Sequence, residues 1–555
     1  MSTWQAIIHA PPEYVVLMSG DEEAVTKQQD DGSTEFIYHI NVPAPSSTLT
    51  VAIGQWSKVT ITEIGQTLNT NSSSSHRMEL PFECQHNPKW PCRVQRYDQP
   101  TLPSCIYAPP SLIEKAVDEF GECLPMYLEA VFELLGPHPF CRLDVLVVPR
   151  CFSSLGMASP SIIFLSQSLL SGDHSMCIRL AHEISHSWFG LIIGARDWTE
   201  EWMSEGFATY MEDLIHAKAK KWTPAEQKAH SDLRSLLRYR ALKAELENTE
   251  EELQTLRPRG DDTRGSESLD GEVTFVKNGL NHEKGFMQVH YIKGYFLLRY
   301  LANLVGQRNF DEVIKQYVLK FHCQQVLSQE LFTLYFDAFP HLRDQGITME
   351  TIYKDWLDHP GMPKDLNPEE FKQSNWLVDE VNSEFEKWLE INSFNQKLKR
   401  SPRKKMKLSK DIEHKKLIPD QLVLLLEKLL ELDMIPVATL NELDRVYNVN
   451  DSNADVRHRW CELLVKHQHR LRYRDVRQFL IEDQAMGVYL YGELMVAEKP
   501  REKKLAEECF LAVAKEMDFG CHRIVQEMIY GEADEQRSKV EHGDPETTGN
   551  GTKIV

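Results

Sequence analysis

Hydrophobic spacing along the chain changes period twice, and each change marks a class of element. Over residues 1–57 the runs "EYVVLMSG", "TEFIYHINV" and "TLTVAIGQW" are short, rich in β-branched and aromatic residues, and separated by polar or proline-containing turns, so they predict strands. From about residue 110, "SLIEKAVDEFGECLPMYLEAVFELLG" sets apolar residues at helical spacing, and the buried-type strand "RLDVLVVP" and an edge-like segment "SPSIIFLSQSLL" follow it. Further helices are expected at "AHEISHSWFG", at "DWTEEWMSEGFATYMED" with Thr199 as its cap, across a charged and exposed stretch at 223–256, and over 285–359. Residues 365–530 carry heptad-like runs such as "PDQLVLLLEKLLELDMIPVATLNELDRVY" and read as stacked helix pairs. The polar segments 66–104, "RPRGDDTRGSESLDGE" and 531–555 read as loops or disordered chain.

This order predicts an α+β multidomain chain. Residues 1–57 are the remaining strands of a truncated β-sheet domain, 58–109 a loop-rich insert or linker, 110–360 a mixed α+β domain, 365–530 an all-α domain and 531–555 a tail. An apolar fraction of 42% over 555 residues supports several cores. The net charge of −21 argues against a general binder of nucleic acid or anionic membrane, since the averaged field repels polyanions. Eleven cysteines without a CxxC pair suit reduced thiols, and neither a secretory leader nor a long apolar span is visible. A monomer in the cytoplasm or nucleus, not secreted and not in a membrane, is the expectation.

One stretch breaks the bland pattern. In "AHEISHSWFG", His182 and His186 stand four apart with Glu183 between them. On a helix the two imidazoles share one face, so they either converge on an ion with Glu183 beside it or simply decorate an amphipathic surface. A catalytic zinc needs a third protein ligand and an open position for water. Glu205, in the setting W-x-x-E-G-F-A, follows His186 after 18 intervening residues, a span over which a second helix turns back toward the first.

"HEISHSWFG" followed by "EWMSEGFAT" resembles the gluzincin zinc aminopeptidases. "WQAIIHAPPEYVVLMSG", "LGMASPSIIFLSQSLLSGD" and "YIKGYFLLRYLANLVG" have counterparts in order along that family, covering roughly residues 1–360, with a weaker helical match to the end. The resemblance implies a thermolysin-like catalytic domain, an armadillo-like helical domain, one Zn2+ per chain held by His182, His186 and Glu205, and Glu183 as general base. It implies that Glu212 supports a ligating histidine and that Tyr291, in "YIKG", donates to the oxyanion. It also implies that Gly156 and Met157 lie along the substrate, a short peptide losing its N-terminal residue. The family's amine-holding glutamate is replaced by Ala158. Glu283 falls where one member has an acidic residue that reaches an N-terminal arginine side chain, so a preference for N-terminal Arg is expected. The alternative is a catalytically impaired binding protein that works through its helical domain and basic segment.

That segment, "KLKRSPRKKMKLSK" at 397–410, packs eight Lys/Arg residues into an acidic chain. Its charge density forbids burial, and it reads as an exposed loop carrying a nuclear or nucleolar address, with contact to an import receptor or to nucleolar RNA.

Overall fold

Period-two alternation builds the N-terminal sheet of the computed structural model. The structure describes residues 1–23, 27–29, 32–61, 102–258, 288–400, 413–496 and 499–531. Strand β1 (Ser2–Ala10) is followed by β2 (Val15–Met18) and β3 (Thr34–Ala44), and in β3 Phe36, Tyr38 and Ile40 alternate inward. β3 lies between β1 and two dipeptide strands, Asp21–Glu22 and Lys27–Gln28, all antiparallel, while β4 (Val51–Gly54) pairs with β2. Ala10, Val16, Met18, Phe36 and Tyr38 form its core. The sheet is fastened by polar contacts: Arg142 Nη2 donates to Met18 O at 3.0 Å and Gly20 O at 2.8 Å, and the buried hydroxyls of Ser19 and Ser159 meet at 2.5 Å.

A second sheet forms the centre. β5 (Ser57–Thr60), β6 (Cys105–Ala108), β7 (Asp144–Val148), β8 (Gly156–Ser159) and β9 (Ile162–Ser166) are ordered β8-β9-β7-β6-β5. The segment expected as a loop-rich insert therefore contributes two strands, β5 and β6, at its ends; residues 62–101 between them lie outside the described residues. The expectation that "SPSIIFLSQSLL" forms an edge is corrected. β9 is internal, parallel to β7 and antiparallel to β8, and all five of its residues are buried, the mark of a strand covered on both faces. The edge is β8.

Helices α1 (Ile113–Phe120), α2 (Cys123–Leu135) and α3 (Ile178–Ser185) pack around this sheet. α4 (Trp202–Ala219) begins later than Thr199 suggested. Asp197 caps a 3-10 turn at Trp198–Glu200 by accepting from Thr199 N, and Glu201 leads into the helix without a side-chain cap. α5 (Pro224–Asn248) starts with a Thr223/Glu226 capping box. It was expected to be exposed, yet Ala229, Asp232, Leu233, Ser235, Leu236 and Leu242 are buried, because its inward polar residues are paired: Asp232 meets Arg299 and Ser235 meets Tyr295. α6 (Val289–Val305) then crosses α4 at two glycines. A Cβ on Gly206 would sit 2.9 Å from Gly294 Cα, so the backbones touch with no side chain between them.

The chain divides into two compact units, Met1–Pro149 with Leu155–Asn382, and Arg150–Ser154 with Ser383–Val555. The second unit is helical. Pro419–Leu430 packs on Ala454–Lys466, and Gln484–Val496 on Phe519–Tyr530. Its hub is Glu384, fully buried, which accepts from Lys387 Nζ at 2.7 Å, His414 Nδ1 at 2.8 Å and Tyr447 Oη at 2.9 Å. The basic segment and the C-terminal tail lie almost wholly outside the described residues.

Gly206→Ala should drive α4 and α6 apart and cost about 1–3 kcal/mol, as overpacking does elsewhere. Urea unfolding is the measure, and an unchanged midpoint would show that the crossing has room for a methyl group.

Candidate metal centre

The fold gathers ligands from α3 and α4. His182 and His186 sit one turn apart at the end of α3, both buried, with ring centroids 4.9 Å apart. Glu205, in the first turn of α4, points between them: its Oε2 is 3.5 Å from His182 Nε2 and 3.3 Å from His186 Nε2. The opposite ring nitrogens are engaged. His186 Nδ1 lies 3.0 Å from the Phe189 carbonyl, which only accepts, so Nδ1 carries the proton and Nε2 presents its lone pair to the centre. His182 Nδ1 is held at 2.9 Å by Glu212 Oε2, which orients its ring the same way.

Glu212 is anchored in turn. Arg238 on α5 contacts both Glu212 and Asp213 and lies 4.3 Å over the Tyr295 ring. Burial favours the neutral form of Glu212, but the hydrogen bond to His182 and the Arg238 charge overcome it and hold its pKa down to about 2. At His182, burial pushes down while Glu205 and Glu212 push up, and the carboxylates win, raising the pKa to about 10. The centre is thus a buried pocket of negative potential that calls for positive charge.

A zinc ion fits that demand. Glu205 Oε2 is buried without a hydrogen-bond donor, and with the two Nε2 atoms it makes a convergent N, N, O set. Glu119, His174 and Cys177 also bring potential ligand atoms within 4.8 Å of one another. There, however, the Glu119 carboxylate already accepts from Ser171 Oγ at 2.9 Å and Gly172 N at 2.7 Å. A hydrogen bond with Cys123, followed by burial, also pushes the Cys177 thiol far up. That group reads as a hydrogen-bonded staple at the start of α3, so His182, His186 and Glu205 are the candidate that better suits a metal ion.

The other residues singled out in the sequence arrive around this point. Glu183 is buried, and its carboxylate lies against Gly156 so closely that a Cβ there would be 2.2 Å from Glu183 Oε1, which only glycine tolerates. Burial raises the Glu183 pKa against the pull of both histidines. Tyr291, at the start of α6, stacks on His182 at 6.0 Å; burial and then the charges of Glu205, Glu201 and Glu183 raise its hydroxyl well above the usual range. Met157 is 39% exposed on edge strand β8, beside Ala158. Glu283 lies outside the described residues. Four contributors escaped the sequence reading. Arg238 hides in a charge-rich helix; Ser204 Oγ braces the Phe189 carbonyl at 3.1 Å. Lys293 is fully buried and donates to the carbonyls of Gln254 and His359. Glu201 lies 3.7 Å from His290, beside Tyr291.

Residues 116–356 match the Peptidase family M1 domain. Residues 417–529 match the C-terminal domain of leukotriene A4 hydrolase. Human aminopeptidase O is 43% identical over 543 residues, covering 96% of this chain and 65% of that protein, so the chain spans just under two thirds of the relative's length. Rat aminopeptidase B is 26% identical, covering 95% of this chain and 70% of the relative. Yeast leukotriene A4 hydrolase, solved with bestatin, has the same fold at a TM-score of 0.72 and 19% identity, covering 95% of this chain and 74% of that structure. The stretch matched by that family, 116–356, includes His182, His186 and Glu205 and both α4 and α6.

Glu212→Gln should keep the shape of its contact with His182 but lose the charge, lowering zinc affinity about 10- to 100-fold. Competition with a chromophoric chelator measures this, and an unchanged affinity would remove Glu212 from the site.

Proposed function

We propose that the chain is a zinc-dependent aminopeptidase that removes the N-terminal residue of short peptides, with a preference for N-terminal Arg. The observation that carries the reading is the grouping of one buried carboxylate, Glu183, and one half-buried phenol, Tyr291, around a candidate three-ligand centre. Zinc held by His182, His186 and Glu205 would supply a Lewis acid for the scissile carbonyl and make its water easier to deprotonate.

The protein's own groups do the proton work. Burial brings Glu183 up toward the range in which a carboxylate is an effective base, so it takes the proton of the attacking water and later returns it to the leaving amine. Tyr291 stays protonated at any working pH and donates its hydroxyl to the oxyanion that develops on the carbonyl. Gly156 and Met157 sit on the edge strand of the central sheet, whose outer side is unpaired among the described residues, and an extended peptide can add to it by backbone hydrogen bonds. The preference for Arg rests on Glu283 as a charge partner for the basic terminus.

Zinc content and hydrolysis of Arg-, Ala- and Leu-coumarin substrates test the reading together. Glu183→Gln should retain one zinc and lose about 10²- to 10⁴-fold in turnover. Tyr291→Phe should lower kcat by about 10²- to 10³-fold with KM little changed. Zinc bound by the parent chain with no turnover on any substrate would sink the proposal, and equal rates on the three substrates would sink the Arg preference.

For residues 397–410 we propose a nuclear or nucleolar address, supported by eight positive charges within 14 residues. A fluorescent fusion lacking the segment should leave the nucleolus; unchanged localisation would overturn the assignment.

A further inference from the structure

We propose that Ser204 is a positioning residue of the metal centre, whose hydroxyl fixes the His186 ring with Nε2 turned toward the other ligands. The inference rests on zinc being held by His182, His186 and Glu205, and not on what the centre hydrolyses. A histidine turns about its last side-chain bond at little cost, so a ligating ring keeps one pose only where its outer nitrogen is held. For His182 that grip is a carboxylate, Glu212. For His186 it is uncharged, and two helices share it.

His186 Nδ1 meets the Phe189 carbonyl at 3.0 Å, in the turn that follows α3. A carbonyl in a turn can direct a ring only if it is itself fixed. Ser204 Oγ, on α4, lies 3.1 Å from that oxygen and 3.3 Å from His186 Nδ1, closing a triangle of polar atoms. The triangle admits one arrangement of protons. Nδ1 carries a proton because the carbonyl can only accept; the single hydroxyl proton goes to the carbonyl as well, and a hydroxyl lone pair faces the Nδ1 proton. His186 thus donates to two acceptors, and the tautomer with a bare Nε2 satisfies all three groups. The surrounding packing keeps the triangle closed. A Cβ on Gly190 would lie 2.3 Å from Ser204 Oγ and 3.5 Å from His186 Nδ1, so the turn brings bare backbone against the pair. The Phe189 ring stacks on Phe207 of α4 with centroids 4.5 Å apart and planes 9° apart, which pins the turn to that helix. Ser204 immediately precedes Glu205, whose Oε2 is 3.3 Å from His186 Nε2. Adjacent residues of α4 therefore address both nitrogens of one ring, and His186 cannot turn without breaking a contact to the helix that supplies the third ligand.

Zinc affinity of the full chain is measured by chelator competition for the parent, Ser204→Ala and Ser204→Thr, alongside metal-free thermal midpoints and the visible absorption of the cobalt-loaded proteins. Ser204→Ala should bind zinc about 10-fold more weakly, shift the cobalt band and keep the metal-free midpoint. Ser204→Thr retains the hydroxyl and should restore both affinity and band. A serine that only packs would leave the cobalt band where it is. Affinity within two-fold of the parent and an unmoved band in Ser204→Ala overturn the assignment and leave the centre standing. So does a loss that comes only with a lowered metal-free midpoint, or one that Ser204→Thr fails to restore. A parent chain that takes up no zinc removes the centre and this role with it. Zinc uptake that depends on Ser204, in a chain that turns over no peptide, would fault the aminopeptidase reading alone.

Discussion

The direct contact between Gly206 and Gly294 sets the spacing on which the centre depends. A ligand next to Gly206 and a hydroxyl three residues before Gly294 can address the same atom only if α4 and α6 approach backbone to backbone. Any side chain at the crossing would hold the helices near the usual separation of about 8–10 Å. The same closeness brings Glu201, Glu205, His290 and Tyr291 into one another's electrostatic reach.

Around that crossing the protein concentrates negative charge and then manages it. Glu183, Glu205 and Glu212 are gathered at two histidines, an arrangement whose desolvation is costly unless each charge has a partner. Arg238 neutralises the outer carboxylates, and backbone and carboxylate acceptors fix the protonated side of each imidazole. What remains is a directed set of lone pairs. Glu183 differs from Glu205 in its environment rather than its chemistry: packed against Gly156 it is pushed toward the neutral form, while Glu205 between two imidazoles is pushed the other way.

The N-terminal sheet and the long helix α5 serve this centre from a distance. Arg142 and the Ser19–Ser159 contact tie the first sheet to the strands around β8, the edge nearest Glu183. α5 supplies Arg238 from a segment whose charge looks fit only for solvent. Both cases show polar contacts, rather than apolar area, deciding how an element is oriented.

That His182 and His186 share a helix face with Glu183 beside them was legible in the chain itself, because an i, i+4 pair with an adjacent carboxylate is a local geometric statement and needs only a helix to be true. Strand and helix classes were legible for the same reason, since periodicity is local. Whether "SPSIIFLSQSLL" is an edge or an interior strand was not, because that depends on which strand lies beside it, and β8 is made by a neighbouring stretch with little apolar signal. Nor could the chain reveal that α5 buries polar residues, that Thr199 caps nothing on α4, or that Glu201 meets His290. Charge partners such as Asp213–Arg238 and His290–Glu201 are far apart in sequence, and only tertiary packing decides whether a charged residue meets water, an opposite charge or a substrate.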